Sequence, residues 1–275
     1  MMIFGISLGS LIILLILAYL LMLRGRRNHQ GLAALRGWAY AHRGLHGNGV
    51  PENSMLAFQK ALDAGYGIEL DVHLMADGNL AVIHDPSLKR TVGVDVQIED
   101  LCTEDLVKYQ LEGTAETIPL FRDVLDLYEN KAPLIIELKA ERGNHASLCK
   151  AVCNMLDMFN GTFCIESFDP RCILWLKKNR PDLIRGQLSE NFFKSKNSKL
   201  HPVLKFVMTN HFVNALVRPD FIAYRFSDRN VIGTRLCRKL WGVQGVAWTL
   251  RTKEDYDTAL SEGWIPIFEY FDPKA

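Results

Sequence analysis

No aspartate or glutamate occurs before Glu52, while Arg24, Arg26, Arg27, Arg36 and Arg43 all fall in that stretch, so the chain begins purely basic. From Ile3 to Leu23 charge of either sign is missing. A paired Cys-x-x-Cys spacing is also missing, which excludes a zinc ribbon or finger. The six cysteines are Cys102, Cys149, Cys153, Cys164, Cys172 and Cys237, mostly inside apolar runs. Cys149 and Cys153, one helical turn apart, read as two small hydrophobes on one helix face. Buried reduced thiols agree with a cytoplasmic domain. Net charge is only +1 over 275 residues, so composition gives no nucleic-acid binder. Internal repeats and low-complexity tracts are absent, which excludes a solenoid.

The uncharged run is mostly Leu and Ile, and at about 1.5 Å per residue it is long enough to span a hydrocarbon core of roughly 30 Å. A cleaved signal peptide would carry a basic residue ahead of its apolar run and a small-x-small site after it; this run has neither. Residues 1–23 are therefore expected to form a transmembrane helix and residues 24–37 a linker. Arg24, Arg26 and Arg27 at the helix end place the rest of a single-pass chain in the cytoplasm under the positive-inside rule.

Residues 38–275 alternate between strand-like and helix-like patterns. Strands are expected over Trp38 to His42, Gly67 to Val72, Leu80 to His84, Leu134 to Lys139, Thr162 to Phe168, Ile184 to Ser189, Phe221 to Phe226, Val243 to Leu250 and Trp264 to Tyr270. Helical spacing covers Ser54 to Ala64, Thr103 to Tyr109, Leu120 to Tyr128, Ala146 to Phe159, Pro170 to Asn179, Val231 to Leu240 and Lys253 to Ser261. The second and third strands are separated by a short segment holding Asp77-Gly78, which is hairpin chemistry, whereas parallel neighbours need a crossover. Setting the third run aside as an excursion leaves eight strands, the number of a closed (β/α)8 TIM barrel. Between Glu190 and Pro219 lies a basic, apolar insertion with Lys194, Lys196, Lys199, Lys205 and Arg218 and no acid before Asp220. Contact with lipid headgroups and a partly buried helix with lysines facing water both fit it.

In such barrels reactive side chains gather at the C-terminal strand ends. Glu69 and Asp71, two apart, share one side of a strand, and Glu137 and Lys139 repeat that spacing on the next barrel strand. The neighbours Ile68, Leu70, Val72, Leu134 and Ile136 are apolar, so the carboxylates face the axis while the other side packs outward. Three such carboxylates repel one another unless a cation joins them, and their hard oxygens suit one Ca2+ or Mg2+ ion. His42 and His84 each end an apolar run before a turning sequence and are the proton-transfer candidates. Arg43 offers a fork of donors to a phosphate, and Lys139 a point charge. Glu52 either ligates the metal or holds Arg43, with the second role favoured. His46 and His73 are weaker candidates.

The series HRG, PENS, AFQKALDAG, IELDV, ADGNLAVIHD, IPLFRDVL, IIELK, ESFDP and AWTLR, in order from Trp38 onward, resembles the glycerophosphodiester phosphodiesterase family. That resemblance implies a phospholipase-C-like phosphodiesterase barrel with a hairpin after the second strand. It implies His42 and His84 as the acid/base pair, Glu69, Asp71 and Glu137 as ligands of one divalent cation, and Arg43 and Lys139 on the phosphate. In some members the histidine at the His84 position also joins the metal. The implied reaction is hydrolysis of glycerophosphodiesters to glycerol 3-phosphate and an alcohol. Lysophospholipase D-type action on lysophospholipids, or a non-catalytic membrane-tethered binding barrel, are the other readings. Membrane lipid is an expected partner and nucleic acid is not. The last strand, GWIPIFEYFDP, departs from the Gly-Asp-Gly and Thr-Asp pattern of many bacterial members, which leaves the final loop open.

Overall fold

A computed structural model describes residues 8–26, 29–195 and 198–274. The strands are β1 (Tyr40–His42), β2 (Gly67–Leu74), β3 (Leu80–Val82), β4 (Leu134–Leu138), β5 (Phe163–Ser167), β6 (Arg185–Ser189), β7 (Phe221–Arg225), β8 (Gln244–Leu250) and β9 (Trp264–Phe268). Their hydrogen-bonded order is β1-β9-β8-β7-β6-β5-β4-β2-β3, and a further β1–β2 pairing closes the ring. Only β3 runs antiparallel to its neighbour, pairing Val72 with Val82 and Leu74 with Leu80. The closed barrel is thus eight-stranded and parallel, with the third run an excursion.

The helices are α1 (Leu8–Met22), α2 (Met55–Asp63), α3 (Phe121–Tyr128), α4 (His145–Leu156), α5 (Pro170–Asn179), α6 (Pro202–Thr209), α7 (Asn214–Val217), α8 (Ile232–Trp241) and α9 (Lys253–Ser261). Ile68, Leu70, Val72, Leu134, Ile136 and Leu138 pack outward into one core with helix residues such as Phe58, Val124 and Val152. Their strand neighbours point inward, where Tyr40, Ile135, Cys164, Leu188, Phe221 and Ile267 fill the axis. Two glycines set that filling. A methyl at Gly67 would sit 2.8 Å from the Tyr40 ring, and one at Gly186 would sit 2.0 Å from the Phe221 ring. In each case a missing side chain admits a neighbour's aromatic ring, as close packing demands. Between β3 and α3 the expected helix at Thr103 to Tyr109 is a 3-10 turn, Thr103–Lys108. It belongs to a satellite core of Met75, Ile83, Leu88, Ile98, Leu101 and Ile118.

The expected linker is partly structured: Gln30–Leu35 form a 3-10 turn, and the buried Leu35 accepts a 3.0 Å hydrogen bond from Tyr40 Oη at the barrel floor. Of the expected membrane span, α1 describes fifteen residues, none of them buried. No helix among the described residues is long and apolar enough to cross a membrane. Residues 1–7 of that span, Arg27 and Lys196 lie outside the described residues. In the 190–219 insertion α6 and α7 do pack inward, through Met208 and Val217. Of the two readings of this insertion, a row of lysines facing water does not describe the solvent side of α6, where Val203, Leu204 and Phe206 are exposed.

Candidate active site

Strand pairing brings the predicted strand residues to two neighbouring levels at the C-terminal rim. His42 on β1 lies beside Glu69 on β2, Asp71 beside Glu137 on β4, and Glu137 beside Glu166 on β5. All four carboxylates are buried. Oxygens of Glu69, Asp71 and Glu137 lie within 4.8 Å of one another, close enough to share an ion. Burial, Asp71 and Glu137 hold the Glu69 carboxyl well above the usual range. Glu137 is raised by burial and Asp71, against Lys139. Asp71 goes the other way: burial opposes ionisation, but Lys139, His84 and Arg43 hold it well below that range. The Lys139 ammonium sits 2.9 Å from both Asp71 Oδ1 and Glu137 Oε1. A positive charge therefore already stands where the carboxylates converge. This excess of buried hard oxygens fits a divalent cation.

Each histidine is backed by a carboxylate. His42 Nδ1 lies 3.1 Å from Glu269 Oε1, and its Nε2 turns towards Glu69 Oε2 at 3.8 Å. Burial pulls His42 down to about 4, so the ring is neutral at pH 7. With the Nδ1 proton donated to Glu269, the Nε2 lone pair is left facing the carboxylates. His84 lies two residues past β3 rather than ending it. Its Nδ1 is 2.6 Å from Asp85 Oδ1, and Arg90 Nε holds the other Asp85 oxygen at 2.5 Å. Arg90 also reaches Glu52 at 2.6 and 2.8 Å, and Glu52 accepts from Arg43 Nη1 at 2.9 Å. Glu52 thus takes the second of its two expected roles. Arg43 adopts a left-handed φ of 55°, a cost of about 1–3 kcal/mol that surrounding contacts must hold. Those contacts include its amide to Glu69 Oε2 at 3.2 Å and its Nε to Asp71 Oδ2 at 3.4 Å.

The weaker candidates are placed as well. His73 is fully buried, tied to Glu99 at 2.6 Å, and its Nε2 lies 3.2 Å from the His84 carbonyl oxygen. It holds the hairpin rather than facing the mouth. His46 Nε2 shares Glu269 Oε1 with His42, at 3.2 Å. Besides Arg90, three site groups escaped sequence reasoning. Glu269, the Arg251 that grips its other oxygen at 2.6 Å, and Glu166 all sit at strand ends. Glu166 Oε2 is buried with no hydrogen-bond partner among the described residues, and burial with Glu137 and Asp71 keeps its carboxyl protonated to well above the usual range. The signal for Glu166 was its place one residue before Ser167 in ESFDP; that for Glu269 was the departure in the last strand. Opposite the charged wall, Phe168, Leu188, Phe226 and Trp248 line an apolar wall of the same cavity, about 450 Å³.

Fold and site define a parallel TIM-barrel protein with a cation-suited acidic mouth flanked by paired histidines. Residues 42–269 match the model of the glycerophosphoryl diester phosphodiesterase family, and the chain belongs to that family. It is 43% identical over 107 residues to a glycerophosphodiester phosphodiesterase of Bacillus altitudinis, covering 36% of this chain and 43% of the relative. It is 35% identical over 160 residues to one of Caldanaerobacter subterraneus, covering 54% and 65%. It is 33% identical over 159 residues to a human lysophospholipase D, covering 53% and 48%. The chain thus spans about half the length of the curated relatives it matches. Among solved structures, an Oleispira antarctica phosphodiesterase in complex with the product sn-glycerol-3-phosphate superposes with a TM-score of 0.71 at 21% identity, over 87% of this chain and 94% of that one. A Thermotoga maritima glycerophosphodiester phosphodiesterase gives 0.64 at 23% identity, over 84% and 93%. At these identities the likeness shows the fold.

Proposed function

We propose that the protein hydrolyses glycerophosphodiesters to glycerol 3-phosphate and an alcohol, and that its N-terminal helix attaches it to a membrane. The observation that carries the first part is the convergence of Glu69, Asp71 and Glu137 between two carboxylate-backed histidines. Those three residues would hold one Ca2+ or Mg2+ ion. When bound, the ion would polarise the phosphoryl oxygens and lower the pKa of the attacking hydroxyl or water. His42, neutral with Nε2 free, takes the attacking proton. His84, oriented by Asp85, gives a proton to the leaving alcohol. Lys139 and Arg43 supply positive charge to the phosphate, Arg43 held in place by Glu52. The apolar wall of Phe168, Phe226 and Trp248 leaves room for the substrate's carbon skeleton.

The membrane part is supported by the all-round apolar surface of α1 and by Arg24 and Arg26 at its end, a basic flank that favours a cytoplasmic barrel under the positive-inside rule. That helix, and the human relative's description as a lysophospholipase D, favour a second reading in which the diester is a lysophospholipid. Purified protein assayed on glycerophosphocholine and on lysophosphatidylcholine, with and without chelator, separates the cases. Chelator-sensitive release of glycerol 3-phosphate from the first substrate supports the leading reading, and chelator-sensitive release of choline from the second alone selects the other. If neither is cleaved by a protein that still binds a cation, the barrel is a binding module and the hydrolase reading fails.

A further inference from the structure

We propose that α6 is a second membrane contact, lying in the headgroup region of an anionic bilayer beside the point where α1 enters it. This rests on the membrane attachment proposed above and extends it to a segment on the other side of the sequence. The argument starts from α1. A helix that docks in a protein groove keeps a polar face for water. α1, LGSLIILLILAYLLM, has no such face: Leu8, Leu11, Ile12, Ile13, Leu14, Leu15, Ile16 and Leu17 point in every direction around it and all are exposed. A second copy or a protein groove would cover one stripe and leave the rest in water. Hydrocarbon covers all of it.

The C-terminal end of α1 is built into the barrel with the residues of a membrane interface. Trp241 Nε1 donates to the Leu20 carbonyl at 2.7 Å, and the Arg24 guanidinium lies 5.0 Å from the Trp241 ring centre. Arg218 donates to the Leu21 and Arg24 carbonyls at 3.1 and 3.0 Å. Tryptophan and arginine at one helix end are the groups enriched where a chain leaves hydrocarbon for water. Leu23, by contrast, is wholly buried against the barrel, so the collar is fixed to the fold and not merely near it.

From this collar an aromatic ladder leads to α6. The Tyr19 and Phe212 rings are 4.9 Å apart, and Phe212 and Phe206 are 5.5 Å apart. α6 buries Met208 and Thr209 against the barrel and turns Val203, Leu204 and Phe206 outward. These three are more than half exposed, at 62%, 51% and 51%. An outward apolar side continuous with a lipid-facing helix is an interaction surface rather than a scatter of single residues. Its charge is of one sign: between Glu190 and Asp220 the sequence has lysines and an arginine and no acid. Apolar side chains flanked only by cations are the composition of an interfacial helix on anionic lipid.

The test uses the full chain in vesicles of phosphatidylcholine and phosphatidylglycerol. Five native cysteines are buried and only Cys102 is partly accessible, so a Cys102→Ser background allows single probes. An environment-sensitive fluorophore is placed at Phe206→Cys, with Val203→Cys as a second site on α6. Ile13→Cys reports α1, and Val107→Cys, 75% exposed on the satellite core, reports water. The α6 probes are expected to shift to shorter wavelength on vesicle addition and to be quenched by lipids carrying a quencher near the headgroup. The Val107 probe is expected to do neither. If both α6 probes behave like the Val107 probe while the Ile13 probe is quenched, the α6 contact is overturned and the attachment stands. If the Ile13 probe also stays water-like, the attachment itself fails. If the α6 probes shift without lipid quenching and the chain crosslinks to itself, a second copy covers the face and the proposal is wrong.

Discussion

Replacing Glu269 by glutamine tests how the barrel prepares its proton acceptor. Glu269 is buried; its Oε1 meets His42 at 3.1 Å and His46 at 3.2 Å, and the Arg251 guanidinium forms an ion pair 2.6 Å from Oε2. Burial alone would raise its carboxyl, but the two histidines and Arg251 outweigh that and hold it well below the usual range. A carboxylate can accept from both histidines while its charge holds Arg251. Glutamine has no charge, one oxygen and one NH2, so either the histidines or Arg251 must face an N–H. The arginine is the stronger claimant on the oxygen, which leaves the His42 ring unheld or turned. Losing a hydrogen bond to a charged group costs about 1.5–3 kcal/mol, which is roughly 10–100-fold in rate if it is felt in the transition state. The expected result on glycerophosphocholine is a fall of that size in kcat with KM little changed. The pH profile should respond too. The Glu269 anion raises the His42 pKa against burial and Arg43, so its removal moves the His42 titration to still lower pH. A glutamine variant with near-normal kcat and an unchanged fold would mean that the His42 orientation is unimportant, and the assignment of His42 as proton acceptor would fall with it.

Two further outcomes follow from the same geometry. Glu69 and Glu166 titrate well above the usual carboxylate range, chiefly through burial, so in cation-free protein these two groups hold more protons folded than unfolded above pH 4.5, while His42 and His211, pulled down by burial to about 4 and about 3, hold fewer until pH passes their ordinary 6.5. Above that pH the histidines no longer oppose the carboxyls, and stability falls as pH rises through the folded carboxyl values. The melting temperature of chelator-treated protein should drop between pH 6.5 and pH 8, and added Mg2+ or Ca2+ should restore more at pH 8 than at pH 6.5, read by differential scanning calorimetry. Ser54→Ala removes the cap of α2, whose Oγ accepts from the Ala57 amide at 3.1 Å; a loss of about 1 kcal/mol is expected, seen as a fall of about 2–4 °C in melting temperature for a domain of this size.

The barrel was legible because its two faces differ in chemistry. Ile68, Leu70 and Val72 alternate with Glu69 and Asp71, and that alternation both identified β2 and aimed its carboxylates at the axis. Asp77-Gly78, a hairpin turn where parallel neighbours would need a crossover, separates β3 from the ring. What sequence could not give was the partner of each histidine. Asp85 is adjacent to His84, yet Glu269 reaches His42 across 227 positions of chain, and only closure of β9 against β1 brings them together. Arg90 was missed for a similar reason: it lies in a loop with no periodic pattern, and its pairing with Glu52 and Asp85 depends on how the excursion folds back. Ser54 caps α2, which leaves the preceding Asn53 Nδ2 free to donate to Asp71 Oδ2 at 2.8 Å, a contact no local pattern signals. The solvent side of α6 stayed open between two readings because a lysine-rich composition does not say which face the lysines occupy.

Calorimetric titration of chelator-treated protein with Mg2+ and with Ca2+, alongside Glu137→Gln, addresses the acidic mouth most directly. The account predicts one saturable site per chain for at least one of the two ions, with proton release on binding as the raised carboxyls of Glu69 and Glu137 ionise, and loss of that site in the variant. Absence of binding by either ion, or binding that survives Glu137→Gln unchanged, would contradict it.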